Sequence, residues 1–422
     1  MKYNLEDRPG PLPLMLYGLQ WWVISLPCVI ILGAVVARLH FDNTGDQVLY
    51  LQKTFGLVGL TMLAQLLWGH RLPLVVGQST ILLVGLTASL SSSLPALYTA
   101  IMVSGAVLAV VAAFGLIAGL RALFTDRVVA VILILIAFTL APTIIRLLLN
   151  PGPGAALSLG FTLCLVLVMV LANQILPGVW KSMTILIGLV GGSLVWALLV
   201  GRPEALETVP AGTFGLILPS LEFEAGTIIS FLICMLAMSI NELGSIESIG
   251  RILRADDLDG RVKRGQVVLG LANFTSGAVG IIGPVSFSLS VGVIGATGCA
   301  ARRAMIPAAL GLIVCAFFPE LVLIFSRLPG VVMGALLVYL MGAQLASGLV
   351  MLTQGRGVAD FNGGLTVGLP LIFGLLISFS PESAFTAFPT LVRPLVGNGF
   401  IMGTLMAILL EHLILRPDHR RP

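Results

Sequence analysis

Runs of about 18–20 uncharged apolar residues recur from one end of this chain to the other, and no other feature limits its fold so strongly. The stretch VVAVILILIAFTLAPTII (residues 128–145) is typical. A helix of that length crosses a hydrocarbon core of ~30 Å, and a helix satisfies its own backbone polar groups where no water reaches. Charged residues make up only 10% of the 422, where a soluble domain needs about a quarter. Lipid is therefore the expected solvent. The longest polar stretch is the loop at 251–264, so no separate soluble domain is expected.

Apolar runs and polar punctuation give fourteen expected segments, near 15–37, 48–68, 73–90, 95–119, 128–149, 156–178, 183–200, 225–248, 265–281, 284–298, 304–325, 329–352, 363–380 and 394–415. With the N-terminus in the cytoplasm, this parse puts seventeen Lys and Arg on the cytoplasmic side and six on the other. That asymmetry is the positive-inside pattern. An even number of spans puts both termini in the cytoplasm, in the plasma (cytoplasmic or inner) membrane of a cell. The start, MKYNLEDRPGPLPLM, is polar and proline-rich and does not read as a cleavable signal.

Two segments break the pattern in the same way. The third, LPLVVGQSTILLVG, and the tenth, IGPVSFSLSVGVIG, are short, and each has a proline followed by a small-polar cluster. The clusters are Gly77-Gln78-Ser79-Thr80 and Ser286, Ser288 and Ser290. Non-helical backbone at membrane depth is tolerated only where protein buries it or it lines a cavity. Segments three and ten are seven apart in a fourteen-segment chain, and seven is odd, so the halves would be inverted copies. Interrupted segments at matching positions of inverted repeats point to a transporter's binding site. The expected fold is thus an all-α polytopic membrane protein, a 7+7 inverted repeat with broken or extended segments at spans 3 and 10.

Few residues offer other chemistry. The four histidines fall at segment ends or in tails, and the five cysteines are scattered through apolar runs, so neither a metal site nor a disulfide framework is expected. No nucleophile–base pair or phosphate loop suggests an enzyme, no cofactor is implied, and dispersed basic residues do not suggest a nucleic-acid partner. The informative groups are carboxylates within spans, which are costly and call for a partner or a purpose. Glu242 and Glu247 sit in the eighth segment, five residues and about 140° apart on a helix. Glu247 precedes Arg251 by one turn, so an intrahelical ion pair is one reading and a binding role another. Glu242 has no local cation. Glu411 and Glu320 lie near span ends, where interfacial positions are expected. Trp21 and Trp22 read as an interfacial aromatic belt, and Gln20 beside them as a residue that faces a cavity.

The block from Asp257 to Leu352 resembles the nucleobase–ascorbate transporters (nucleobase:cation symporter-2), which include bacterial uracil and xanthine permeases. The eighth-span E-x-x-G motif of that family is matched by Glu247-Ser248-Ile249-Gly250, followed by DLDGRVKRG. The tenth-span signature is matched by Phe287-Ser288-Leu289-Ser290-Val291-Gly292 with Thr297-Gly298. YGLQWW and LPLVVGQST resemble the family's motifs in spans one and three. The chain is a divergent member by this likeness: Leu289 and Ser290 stand where the family carries polar site residues, Arg251 where an acidic residue or His is usual, and Leu269 where an aspartate is common.

The resemblance implies a core domain of spans 1–4 and 8–11 (residues 1–124 and 223–327) and a gate domain of spans 5–7 and 12–14 (125–222 and 328–422). It implies substrate between spans 3 and 10, bound by Glu247, with Cys28, Thr80, Phe287 and Ser288 lining the base. Gln20, Gln78, Ser79, Leu289 and Ser290 complete the candidate site, and Glu247 and Glu242 are the candidate proton-coupling groups. The implied activity is uptake of a nucleobase such as uracil or xanthine by proton symport, with Na⁺ as another possible ion and an elevator-type alternation of access. A homodimer in the bilayer is implied by the resemblance alone. The alternatives are a same-fold carrier of another small solute or anion (sulfate, bicarbonate or carboxylate) and a non-transporting scaffold or receptor.

Overall fold

A computed structural model describes every residue except 1, 90–91, 118–122, 150–153, 178–179, 181–182, 202–219, 288–289, 291–292, 295–297, 355–357, 359, 386, 390–391 and 416–422. The chain opens with two long helices, α1 (Pro11–His40) and α2 (Thr44–Leu67). Strand β1 (Val75–Gln78) follows, and Ser79 turns it directly into the short helix α3 (Thr80–Thr87). Next come α4 (Leu94–Ala113), α5 (Asp126–Thr139), α6 (Ala141–Leu149), α7 (Ala155–Ile175) and α8 (Thr184–Val200). The second half holds α9 (Ala225–Ile252), α10 (Leu258–Ala278) and strand β2 (Pro284–Phe287). After these come α11 (Ile306–Cys315), α12 (Pro319–Ser326), α13 (Gly330–Gln354), α14 (Phe361–Phe379), α15 (Arg393–Val396) and α16 (Gly399–Leu409).

Seven helical stretches among the described residues are long and apolar enough to cross a membrane. An eighth is counted if Arg302–Cys315 and Pro319–Phe325, bent by 94° at their junction, form one span. The chain is thus a mainly helical, multi-pass membrane protein. The sequence parse counts more segments because several apolar runs form short elements: β1 with α3 replaces one helix, and α8 and α16 are each under 18 residues.

Helix packing sorts into two groups. In one, α4 lies along α10, α2 along α11, and α1 against both α2 and α11, with α9 on α4. In the other, α13 lies along α5, and α14 and α16 pack on each other and on α5. Small residues set the closest approaches. A methyl at Gly105 would lie 2.3 Å from the backbone nitrogen of Phe274, and one at Gly270 would lie 2.4 Å from that of Ala109. On the α2–α11 side, a methyl at Gly59 would lie 2.8 Å from the carbonyl oxygen of Ala309. Such backbone-to-backbone contact is how helices associate where lipid removes the hydrophobic drive.

The two strands meet in an antiparallel pair, with Val75 opposite Phe287 and Gln78 opposite Pro284. Segments three and ten therefore do leave the helical pattern, and they do so against each other. Their hydrogen bonds supply partners for backbone groups that a helix would have satisfied internally.

The N-terminal residues lie across the first group. Lys2 and Tyr3 donate backbone N–H groups to the Gly298 carbonyl, and Ala300 donates to that of Tyr3. The Glu6 carboxylate accepts from Arg302 at 2.7 Å and lies 3.7 Å from Arg261. In the same loop, the hydrogen bond and charge of Arg261 hold the exposed Asp256 carboxyl below the usual carboxylate range. In the second group, Glu411 proves to be buried and paired with Arg127 at 2.8 Å, with Thr125 also donating to it, where the sequence suggested an interfacial position.

Candidate functional site

At the strand pair a buried carboxylate meets several polar side chains. Glu242 of α9 is fully buried against the pair. Its Oε1 accepts from Gln65 Nε2 at 2.9 Å and from the Ser286 hydroxyl at 3.2 Å, and its Oε2 accepts from the Ser286 backbone N–H at 3.4 Å. All three donors are neutral, and Glu242 has no ion pair among the described residues. A carboxylate at membrane depth costs about 3 kcal/mol on insertion scales, and neutral donors offset only part of that.

Each donor is itself fixed. Gln65 comes from α2, where its amide also donates to the Gly265 carbonyl while its oxygen accepts from His70 N–H. His70 Nδ1 accepts from Leu72 N–H at 3.0 Å, which assigns the ring proton to Nε2. Nε2 lies 3.4 Å from the Ser286 hydroxyl, so His70, Ser286 and Glu242 form a chain of polar contacts. Arg261 reaches in from α10 and donates to the carbonyls of His70 and Arg71, which fixes the turn ahead of β1.

The other face of the crossing is partly open. Gly77 sits so close to α1 that a methyl there would lie 2.7 Å from Cys28 Cβ and 2.8 Å from the Phe287 ring. Cys28, Thr80 and Phe287 are half-buried and border this point, while Gln78, Ser79 and Ser290 are buried. Gln78 donates to Thr54, and its Oε1 has no hydrogen-bond partner among the described residues. Ser79 caps α3 through Leu82 N–H, and Ser290 Oγ accepts from Val75 N–H at 2.9 Å. Gln78 is wholly buried, with its Oε1 towards Gly33 of α1, so a planar solute against Phe287 would meet an apolar face and the N-terminus of α3.

Of the residues singled out in the sequence, Cys28, Gln78, Ser79, Thr80, Phe287, Ser290 and Glu242 converge on the crossing. Gln20 does not: it lies eight residues before Cys28 on α1, about 12 Å along the helix. Glu247 is half-buried on another face of α9 from Glu242, which itself meets Ser286 of β2. Ser288, Leu289 and the side chain of Arg251 lie outside the described residues. Gln65 and His70 were not singled out. A glutamine within the apolar 48–68 run, near its end, is the available signal for the first, whereas His70 lies just past that run's end. Among the described residues, no cluster of His, Cys, Asp or Glu could hold a metal ion.

Comparison with known proteins agrees with this architecture. The family model of xanthine and uracil permeases, described as a permease family, matches residues 12–383. The chain is 26% identical over 408 residues to the nucleobase transporter PlUacP of Paenibacillus larvae, covering 90% of this chain and 91% of that protein. It is 26% identical over 357 residues to the uric acid permease PucJ of Bacillus subtilis, covering 81% and 78%. Among solved structures, the transmembrane domain of the cyanobacterial bicarbonate transporter BicA matches with a TM-score of 0.62 at 18% identity, covering 89% of this chain and 98% of that one. At that identity the likeness concerns the fold.

Proposed function

Since the chain belongs to the xanthine and uracil permease family, and is therefore a permease and not an enzyme, we propose that it carries an oxopurine-like nucleobase across the plasma membrane by proton symport. The observation that carries this reading is Glu242, a buried carboxylate held only by neutral donors beside two broken spans. Such a group can accept the N–H edge of a base or take up a proton, and either event changes the charge at the strand crossing. We assign to Glu242 the role that the E-x-x-G motif suggested for Glu247. Leu289 and Ser290 then matter less to recognition, because the first N–H groups of α3 supply polar contacts beside Thr80.

The two packing groups support a core and a gate. Adding seven to the segment numbers turns the 2–11 pair (α2–α11) into the 9–4 pair (α10–α4), and leaves the 5–12 pair (α5–α13) and the 3–10 strand pair unchanged. That exchange is what an inverted repeat of seven and seven spans produces, and it fits an elevator motion of the first group, with the strands, past the second. Both termini are assigned to the cytoplasm, and a dimer in the bilayer would anchor the gate. The anion-carrier alternative is disfavoured by an uncompensated carboxylate at the site.

Uptake of radiolabelled urate, xanthine and uracil into proteoliposomes, with and without a pH gradient or Na⁺, tests this reading. Glu242→Gln should abolish uptake while leaving folded protein, and Glu247→Gln should retain a measurable fraction. Loss in Glu247→Gln with full uptake in Glu242→Gln would reverse the assignment.

A further inference from the structure

The turn that joins α2 to β1 holds a left-handed residue that is not glycine, Arg71 with φ 54°. Strain of that kind persists only where its surroundings over-determine it. Arg261 does so here, donating to the carbonyls of His70 and Arg71. The turn thereby seats His70, which is fully buried, against both neutral side chains that serve Glu242. Its backbone N–H donates to Gln65 Oε1 at 3.2 Å. The two hydrogens of Gln65 Nε2 then go to the Gly265 carbonyl and to Glu242 Oε1. Its ring faces the other side chain, with Nε2 3.4 Å from Ser286 Oγ.

One bond sets the direction of the protons around the ring. Because Nδ1 accepts from Leu72 N–H, Nε2 carries the ring hydrogen and donates to Ser286. Burial and the Arg261 charge push the imidazole down to about 3, so the ring stays neutral and Nδ1 stays an acceptor. Ser286 Oγ, engaged as an acceptor by His70, turns its own hydrogen to Glu242 Oε1. Oε1 thus receives two fixed donors, which fill its two lone pairs. Oε2 receives one, the Ser286 backbone N–H at 3.4 Å, and keeps a lone pair. We propose that His70 is a positioning residue that turns Gln65 and Ser286 into fixed donors to Glu242 Oε1, which leaves Oε2 as the oxygen that takes the coupling proton. The part played by Oε2 in symport rests on the transport reading above; the orientation of the donors by His70 does not.

His70→Asn and His70→Gln separate the two nitrogens of the ring. Asparagine puts an oxygen near the place of Nδ1 and can still accept from Leu72, but it offers nothing to Ser286. Glutamine reaches farther and puts an N–H near the place of Nε2. Xanthine affinity, measured by scintillation proximity on the purified protein, should fall about fivefold in His70→Asn and stay within about twofold of the parent in His70→Gln. In a Ser286→Ala background, His70→Asn should cause no further loss, because the hydroxyl it aims is gone. Losses that multiply, or equal losses in the two His70 variants, mean that the residue only holds the turn, which overturns the proposal. The proton's position is read from the infrared carbonyl band of protonated Glu242, identified by its loss in Glu242→Gln. With the proton on Oε2 that carbonyl is Oε1, so the band should move to higher wavenumber in His70→Asn and in Ser286→Ala. An unmoved band places the proton on Oε1 and sinks that assignment. NMR of protein labelled with ¹⁵N-histidine needs no substrate: the signal that His70→Asn removes should show the Nε2–H tautomer and should shift in Ser286→Ala. The Nδ1–H tautomer, or a signal indifferent to Ser286, overturns the orientation of the donors. If the parent binds no xanthine while the NMR result stands, the transport reading fails and the action of His70 on Glu242 survives it.

Discussion

Ser286 gives Glu242 two different donors, its hydroxyl and its backbone N–H, and only the first can be removed by substitution. Ser286→Ala should therefore weaken the site without destroying it. A hydrogen bond to a carboxylate contributes about 1.5–3 kcal/mol, so substrate affinity measured by scintillation proximity should fall roughly ten- to a hundredfold, against complete loss in Glu242→Gln. A complete loss in Ser286→Ala would mean that the hydroxyl, with His70 behind it, relays the proton itself. At this scale the sequence was only partly legible. Helical periodicity separates Glu242 and Glu247 by about 140°, but which face meets the strands depends on how α9 packs, and that is a tertiary fact. The E-x-x-G spacing drew attention to Glu247. Gln65 reaches Glu242 from 177 positions away, a distance over which no local pattern operates.

The elements were more legible. A proline and a small-polar cluster in an otherwise apolar run marked both strands, because extended backbone in lipid requires such residues and forbids a simple helix. That the two strands pair, and with which register, is a tertiary fact that no local pattern carries. Gly105→Ala is expected to force α4 and α10 apart, since its new methyl would meet backbone at 2.3 Å, which no side-chain rotation relieves. Overpacking of this kind costs about 1–3 kcal/mol, read as a lowered midpoint of thermal unfolding in detergent. Gly191→Ala in α8, where nothing lies within 4 Å, is the matched control and should leave the midpoint unchanged. The bend of 94° after Cys315 was not anticipated, although Pro319 stands at it.

Across the whole molecule, two acidic residues near the chain's ends report on the two helix groups separately. Glu411 is buried with Arg127, and Arg127→Met would leave its charge unpaired at a cost of about 3–5 kcal/mol. Glu6, though paired with Arg302, is 54% exposed, so Glu6→Gln should change stability by less than about 1 kcal/mol. Melting of the two variants, followed by intrinsic fluorescence, checks the contrast. Equal shifts would mean that the groups unfold as one unit.

The strand pair also has a consequence for how the chain is made. β1 emerges from the ribosome about 210 residues before β2, the only strand it is bonded to among the described residues. At ~5–20 residues per second, that is an interval of roughly 10–40 s during which four residues of backbone sit at membrane depth with no sheet partner. Lipid cannot supply those hydrogen bonds. Until β2 arrives, the partners for those groups must come from water or from other protein, and the pairing of β1 with β2 is the step that replaces them.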